Sequence, residues 1–221
     1  MTESVPPGYT RPPRDFFSRE VLEVAPDLLG GLLERTTVDG TIGMVVTEVE
    51  AYAGERDPGS HSYRGKTARN ATMFGPPGHV YVYFTYGMHH AINLVAGEPD
   101  RPYGCLIRAG RIVEGEELAR RRRAAGRRLS ALADRDLARG PGNVAQAFGA
   151  TLADDGADLF DGSWRFLIPD APLTLPIATG PRVGVSGPAG DGAAFPWRFW
   201  IAGDPTVSAY RPAKPRRRSP G

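Results

Sequence analysis

Met44-Val45-Val46-Thr47-Glu48-Val49-Glu50-Ala51-Tyr52 reads as a strand that carries acids where a buried strand should carry none. Side chains alternate along a strand, so Met44, Val46, Glu48, Glu50 and Tyr52 fall on one face and Val45, Thr47, Val49 and Ala51 on the other. Both faces begin apolar, which predicts a strand covered on two sides. An unpaired buried charge is costly. Two readings follow. Glu48 and Glu50 lie near an open edge and pair with arginines, or one of them is a general base with Tyr52 beside it.

Working outward, residues 32–37 and 41–52 read as strands joined by a turn at Asp39-Gly40. Ser18 is placed to cap a helix over 21–29 that stops at Gly30-Gly31. Residues 54–73 are polar and rich in glycine and arginine. Loops of that length inside a compact domain are usually functional or disordered. Residues 80–86, 91–96 and 104–109 read as three successive antiparallel strands. Residues 116–133 are expected to form a helix with Gly126 as a weak point, and 144–149 a short helix after Gly140-Pro141-Gly142-Asn143. Late strands are expected at 166–168, 182–185 and 198–201. Helices and strands come in runs without a βαβ rhythm, which indicates an α+β fold. The expected architecture is a single domain with a central, mostly antiparallel curved sheet, flanking helices and a protruding aromatic hairpin. Residues 1–14 and 211–221 are Pro-rich and expected to be loose, leaving 15–210 as the folded domain.

The hairpin strand alternates Val80, Val82, Phe84 and Tyr86 with Tyr81, Tyr83 and Thr85. Tyr83 and Tyr86 therefore have opposite parity. If both serve one site, Tyr86 must sit at the tip, where Gly87 permits a turn. An exposed tip is a poor place to bury a ring and a good one for a wedge into a base stack. The plainer alternative is an ordinary tyrosine-rich strand.

The formal charge is +2, and residues 207–221 hold five basic residues and no acid, which leaves −3 for the other 206. Global basicity thus gives no argument for nucleic acid. Six arginines fall within residues 120–128; they are either a solvated helix face or a phosphate-facing patch. No apolar run approaches the ~18–20 residues of a membrane span, and the first residues lack the pattern of a signal peptide. The lone Cys105 excludes an internal disulfide framework and fits a reducing cytosol. A cytoplasmic protein is expected, nucleoid-associated if bacterial. His61, His79, His89 and His90 form no zinc pattern, and no serine-hydrolase elbow, P-loop or dinucleotide fingerprint is present.

The ordered series Leu28-Leu29-Gly30, Thr47 to Tyr52, His61-Ser62, Thr67-Ala68-Arg69-Asn70, Met73-Phe74, Tyr81-Val82-Tyr83, Tyr86-Gly87-Met88, Asn93, Leu106 to Ala109, Gly140-Pro141-Gly142 and Arg182-Val183-Gly184 resembles the 3-methyladenine (alkyladenine) DNA glycosylase family. The resemblance spans roughly residues 15–205. It implies that Glu50 deprotonates the attacking water, held with help from Arg108 and the Val183 carbonyl. Tyr52, His61 and Tyr83 would wall the pocket for an extruded base, and Asn93 would restrict bases with a guanine-type amino group. Tyr86 would fill the vacated stack and Met88 would pack near the neighbouring pair. Thr67, Arg69 and Asn70 would bind DNA or order their loop. Many relatives have threonine at Val49 and some have proline at Ala68.

The partner implied is damaged double-stranded DNA, with no membrane, and the chain is expected to act as a monomer. Only Lys66 and Lys214 could supply a Schiff-base amine. Neither position suits one, so a monofunctional enzyme without metal or organic cofactor is expected. A binding module that has lost catalysis, and a hydrolase of free nucleosides, are the rival readings.

Overall fold

The computed structural model describes residues 5–85, 88–124 and 132–213. Its frame is one open, nine-stranded, mostly antiparallel sheet. The strands are β1 (Tyr9–Thr10), β2 (Leu32–Thr37), β3 (Gly40–Ala53), β4 (Val80–Thr85), β5 (His89–Ala96), β6 (Tyr103–Glu114), β7 (Trp164–Pro169), β8 (Ile177–Gly180) and β9 (Arg198–Ile201). They run in the order β1-β7-β2-β3-β6-β5-β4, with β9 also on β3 and β8 on β9. The helices α1 (Val21–Asp27), α2 (Glu116–Arg123) and α3 (Pro141–Phe148) complete an α+β domain.

The fold turns on β3. Its first half pairs with β2 from Thr37↔Gly40 to Leu32↔Val45. Its second half pairs along the same edge with β9, through Glu48↔Trp200, Val49↔Phe199 and Glu50↔Arg198. The change of neighbour coincides with a bulge. Against β6, Val46 pairs with Gly110 and Glu48 with Ala109, so Thr47 is an extra residue. An inserted residue reverses the alternation that follows it. Met44 and Val46 therefore share the main core with Val49 and Ala51, whereas Val45 joins Leu32 and Leu167 in a small opposite cluster. The strict alternation expected from the sequence fails at this point. Glu48, Glu50 and Tyr52 do share a face, but it is the one opposite Met44 and Val46. Thr47 is buried and its hydroxyl is hydrogen-bonded to that of Thr206 at 2.7 Å.

Further expectations are corrected. Ser18 does not cap α1; the cap position is Glu20, with no side-chain cap, because Arg14–Phe17 form a 3-10 turn whose closing residue is Ser18. Residues 182–185 are a loop, since Arg182 turns inward to a buried ion pair and Gly184 adopts φ 73°; the strand preceding β9 is β8 instead. Helix α2 ends at Arg123, with Ala124 in a turn and 132–133 without regular structure; residues 125–131 of the expected helix lie outside the described residues. At α3 the helix starts three residues early, because Pro141 suits a first helical position. The N-terminal stretch is also tied down: Tyr9 and Thr10 pair with Pro169 and Ile168.

The described part of the arginine run is divided: Arg121 is exposed, whereas Arg120, Arg122 and Arg123 are engaged with the protein. Arg120 holds Glu116, Asp134 and the Leu132 carbonyl; Arg122 holds the Phe148 carbonyl; buried Arg123 reaches Gln146. Arg127 and Arg128 lie outside the described residues.

Candidate active site

Hydrogen-bonded register puts Glu50 of β3 opposite Leu106 of β6, Leu106 opposite Asn93 of β5, and Asn93 opposite Tyr81 of β4. These four side chains form one row across four strands, about 14 Å long at ~4.8 Å per strand. Their alternation neighbours, such as Ala51, Cys105, Ile92, Val80 and Val82, belong to the core on the other face. Burial pushes the Cys105 thiol far above its usual pKa, consistent with a packing role. The row floors a cavity of about 320 Å³, walled by Tyr52, His61, Met73, Tyr83, Arg108 and Val183, among others. Seven residues singled out from the sequence thus meet here: Glu50, Tyr52, His61, Tyr83, Asn93, Arg108 and Val183.

The acid wall is densely bonded. Tyr52 donates its hydroxyl to Glu50 Oε2 at 2.8 Å, and the Val183 N–H donates to Oε1 at 2.6 Å. Arg108 Nη1 lies 3.3 Å from the same Oε1. Burial, then the nearby Glu50 charge, raises the Tyr52 pKa well above its ordinary value, so its hydroxyl stays a donor. Arg108 is held protonated although burial opposes it, because Glu50 and Glu48 outweigh that penalty together. The Val183 loop is pinned by Arg182, which makes a two-pronged ion pair with Asp57 at 2.5 and 2.8 Å and donates to the Ala51 carbonyl at 3.0 Å. Its guanidinium also lies over the Tyr52 ring, 4.5 Å from the centroid.

The opposite wall is aromatic. Tyr81 and Tyr83 stack with centroids 5.5 Å apart, and His61 meets Tyr83 edge-on at 4.5 Å. The Tyr81 hydroxyl lies 3.4 Å from His61 Nδ1. His61 keeps an exposed edge, yet desolvation by its aromatic neighbours, reinforced by the Arg69 charge, lowers its pKa. Burial pushes the Tyr81 hydroxyl up to about 12. Asn93 is buried and its amide donates to the Tyr81 carbonyl at 3.3 Å.

Met88, Thr67, Arg69 and Asn70 do not line the cavity. Met88 is 70% exposed at the end of the hairpin and borders a second cleft with His89 and His90. Tyr86 lies outside the described residues. Asn70 is buried, and its side chain binds the Thr67 N–H and hydroxyl and the carbonyls of His61 and Gly65, so it orders the loop that carries His61. Arg69 donates to the Phe84 carbonyl at 2.9 Å. Lys66 is exposed over the Phe74 ring and does not line the cavity. Sequence reading missed Tyr81 and Leu106 as lining residues, although period-two parity with Tyr83 and Arg108 marks them. It also missed the Asp57–Arg182 pair, for which no local pattern exists. Among the described residues no cluster of histidine, cysteine and acid is placed to hold a metal ion, and no helix is long and apolar enough to cross a membrane.

Comparison with known proteins identifies the family. Residues 15–205 match the methylpurine-DNA glycosylase family. A Streptomyces avermitilis protein is 56% identical over 215 residues, covering 96% of this chain and 97% of its own length. One from Leifsonia xyli is 52% identical over 204 residues, covering 91% and 93%. A third, from Corynebacterium glutamicum, is 46% identical over 188 residues, covering 85% and 92%. All three names assign them, provisionally, as 3-methyladenine DNA glycosylases. With a match across nearly the whole chain, this protein belongs to the methylpurine-DNA glycosylase family and is a DNA glycosylase of DNA repair.

Proposed function

We propose that this glycosylase is monofunctional and releases alkylated or deaminated purines, of the 3-methyladenine, 7-methylguanine, hypoxanthine and ethenoadenine type, after flipping them from duplex DNA into the cavity. One observation carries the reading. A carboxylate offers about four lone-pair sites, and Glu50 has three occupied by Tyr52, Val183 and Arg108. The fourth remains for a water at the edge of the cavity.

Hydrolysis of an N-glycosidic bond passes through oxocarbenium character at C1′. Water oxygen forms the new bond to C1′, Glu50 takes the water proton, and the C1′–N bond breaks with its electron pair going to the base. An N-alkylated purine leaves neutral because it began cationic. A neutral lesion needs a proton as it departs. Arg108 steadies the negative charge of the acid wall, and the Val183 carbonyl is the expected second holder of the water. Extrusion costs a few kcal/mol. Stacking on Tyr52 and Tyr83, at roughly 1–3 kcal/mol per base, offsets it, and Tyr86 fills the gap. Electron-rich ring faces favour a cationic base. The cavity, at about 320 Å³, lies near the lower end of ligand sites (~300–1,000 Å³), a size suited to one base. Lys66 is exposed and does not line the cavity, which supports hydrolysis that leaves an abasic site.

The test is excision from a duplex holding one hypoxanthine or ethenoadenine, and from methylated DNA, by wild type and Glu50→Gln. The reading requires base release by wild type only, with strand breaks appearing only after alkali. Breaks without alkali would remove the monofunctional assignment, and lesion binding without release by wild type would favour the binding-module alternative.

A further inference from the structure

Behind the acid wall lies a second carboxylate that does not line the cavity. Glu48 is fully buried on the same face as Glu50 and two residues before it. Its Oε1 accepts from Arg108 Nε at 2.9 Å, Arg198 Nε at 2.7 Å and Ser208 Oγ at 2.9 Å. Its Oε2 accepts from the Ser208 N–H at 2.7 Å. Three donors crowd Oε1 and one meets Oε2, and Glu48 does not line the cavity, so it is not placed to activate a water there. The same Arg108 guanidinium touches Glu50 only through Nη1, at 3.3 Å.

We infer that Glu48 is a positioning residue: by gripping the Nε edge of Arg108 it stops the guanidinium from closing as a two-pronged clamp on Glu50, and so keeps Glu50 basic and one of its lone pairs free. This rests on the reading of Glu50 as the base. The argument is electrostatic as well as geometric. The buried set Glu48, Glu50, Arg108 and Arg198 is neutral; the other groups around Glu50 are Tyr52 on β3, His61 across the cavity, and Arg182, which Asp57 neutralises. Without the Glu48 charge, two arginines face one carboxylate. A free guanidinium then prefers bidentate pairing with that carboxylate, which would take up the water's site and weaken the base.

A segment near the C-terminus holds Glu48 in place. Arg198 Nη2 donates to the Ser208 carbonyl at 2.7 Å, Arg139 Nε donates to the Val207 carbonyl at 2.9 Å, and Thr206 joins Thr47. The Gly184 N–H, next to Val183, donates to the Arg211 carbonyl at 3.1 Å. One strap therefore secures both the Glu48 end and the Val183 end of the acid wall.

The test is the single-turnover excision rate against pH, with lesion-duplex affinity measured on each variant. Glu48→Gln should lower the plateau rate on the order of tenfold to a hundredfold, short of the roughly 10²–10⁴-fold that a general base supplies. Its acid limb should move to lower pH, because added positive charge favours ionised Glu50, while affinity is kept. Glu48→Asp restores the charge and should return the limb to the wild-type position. A wild-type rate and limb in Glu48→Gln, or equal losses in both variants with the limb unmoved, would overturn the inference. If Glu48→Gln does not fold, Ser208→Ala decides: a severalfold slower rate at unchanged affinity supports the inference and a wild-type rate overturns it. Glu50→Gln run alongside separates the two failures. If it is inactive while Glu48→Gln is normal, only the inference falls; if Glu50→Gln keeps its rate, the assignment of the base falls as well.

Discussion

The two walls of the cavity are built on opposite terms. The acid wall, on β3, β6, β9 and the 204–211 strap, is a buried lattice of charges in which nearly every polar atom has a partner. The aromatic wall, on β4 and the loop from 54 to 74, has rings with few directional bonds, and its hairpin runs out to exposed Phe84 and Met88. The first suits a group that must hold an exact orientation and charge. The second suits recognition by stacking, which tolerates differences between flat substrates. Damage to the first should therefore cost folding stability or chemical rate, and damage to the second should cost binding to duplex DNA.

The largest effect is expected from Asp57→Ala. It leaves the Arg182 charge without its partner where both side chains have 0% exposure, a change that typically costs about 3–5 kcal/mol. Urea unfolding should show the midpoint falling sharply; a midpoint near wild type would mean the acid wall does not depend on this pair. Tyr86→Ala should weaken excision from duplex DNA by the worth of a stacked base, about 1–3 kcal/mol, and spare hydrolysis of a free alkylated nucleoside. Equal losses on both substrates would contradict the wedge. Tyr83→Leu should cost a cationic base about 0.5–2 kcal/mol more than a neutral one, through lost cation–π attraction. Competition between methylated and hypoxanthine duplexes reads that difference, and an equal loss would show the wall acting by shape alone.

The smallest effect belongs to His61. Its pKa is lowered in the folded protein, so as pH falls through the ordinary histidine range the unfolded chain takes up the proton first. Stability from this group is thus complete above about pH 6.5 and declines with acid below it. The slope of melting temperature against pH should be shallower in His61→Gln over that range. An unchanged slope would mean that the ring is as easily protonated in the folded state as in the unfolded one.

Much of this contrast was legible in the chain. Glu50 and Tyr52 stood out because strand parity puts them on one face, Tyr83 and Asn93 through the family resemblance, and the strands over 32–37, 80–86 and 91–96 were readable from the residue pattern. The bulge at Thr47 was not, because a strand apolar on both faces hides a change of parity. Nor was the inward turn of Arg122 and Arg123, since their partners Phe148 and Gln146 lie 26 and 23 positions away. Arg182 looked like part of a strand, but its charge is settled by Asp57, 125 positions away. Local patterns report which face a residue occupies; they are silent on which distant charge meets it there.

The most direct measurement is made on one preparation of Glu50→Gln: its affinity for a lesion-bearing duplex together with its single-turnover excision rate. Affinity within severalfold of wild type and a rate lower by about 10²–10⁴ is the expected result, since the aromatic wall is intact and only the base is gone. An excision rate equal to wild type at that affinity would contradict the division of labour between the two walls.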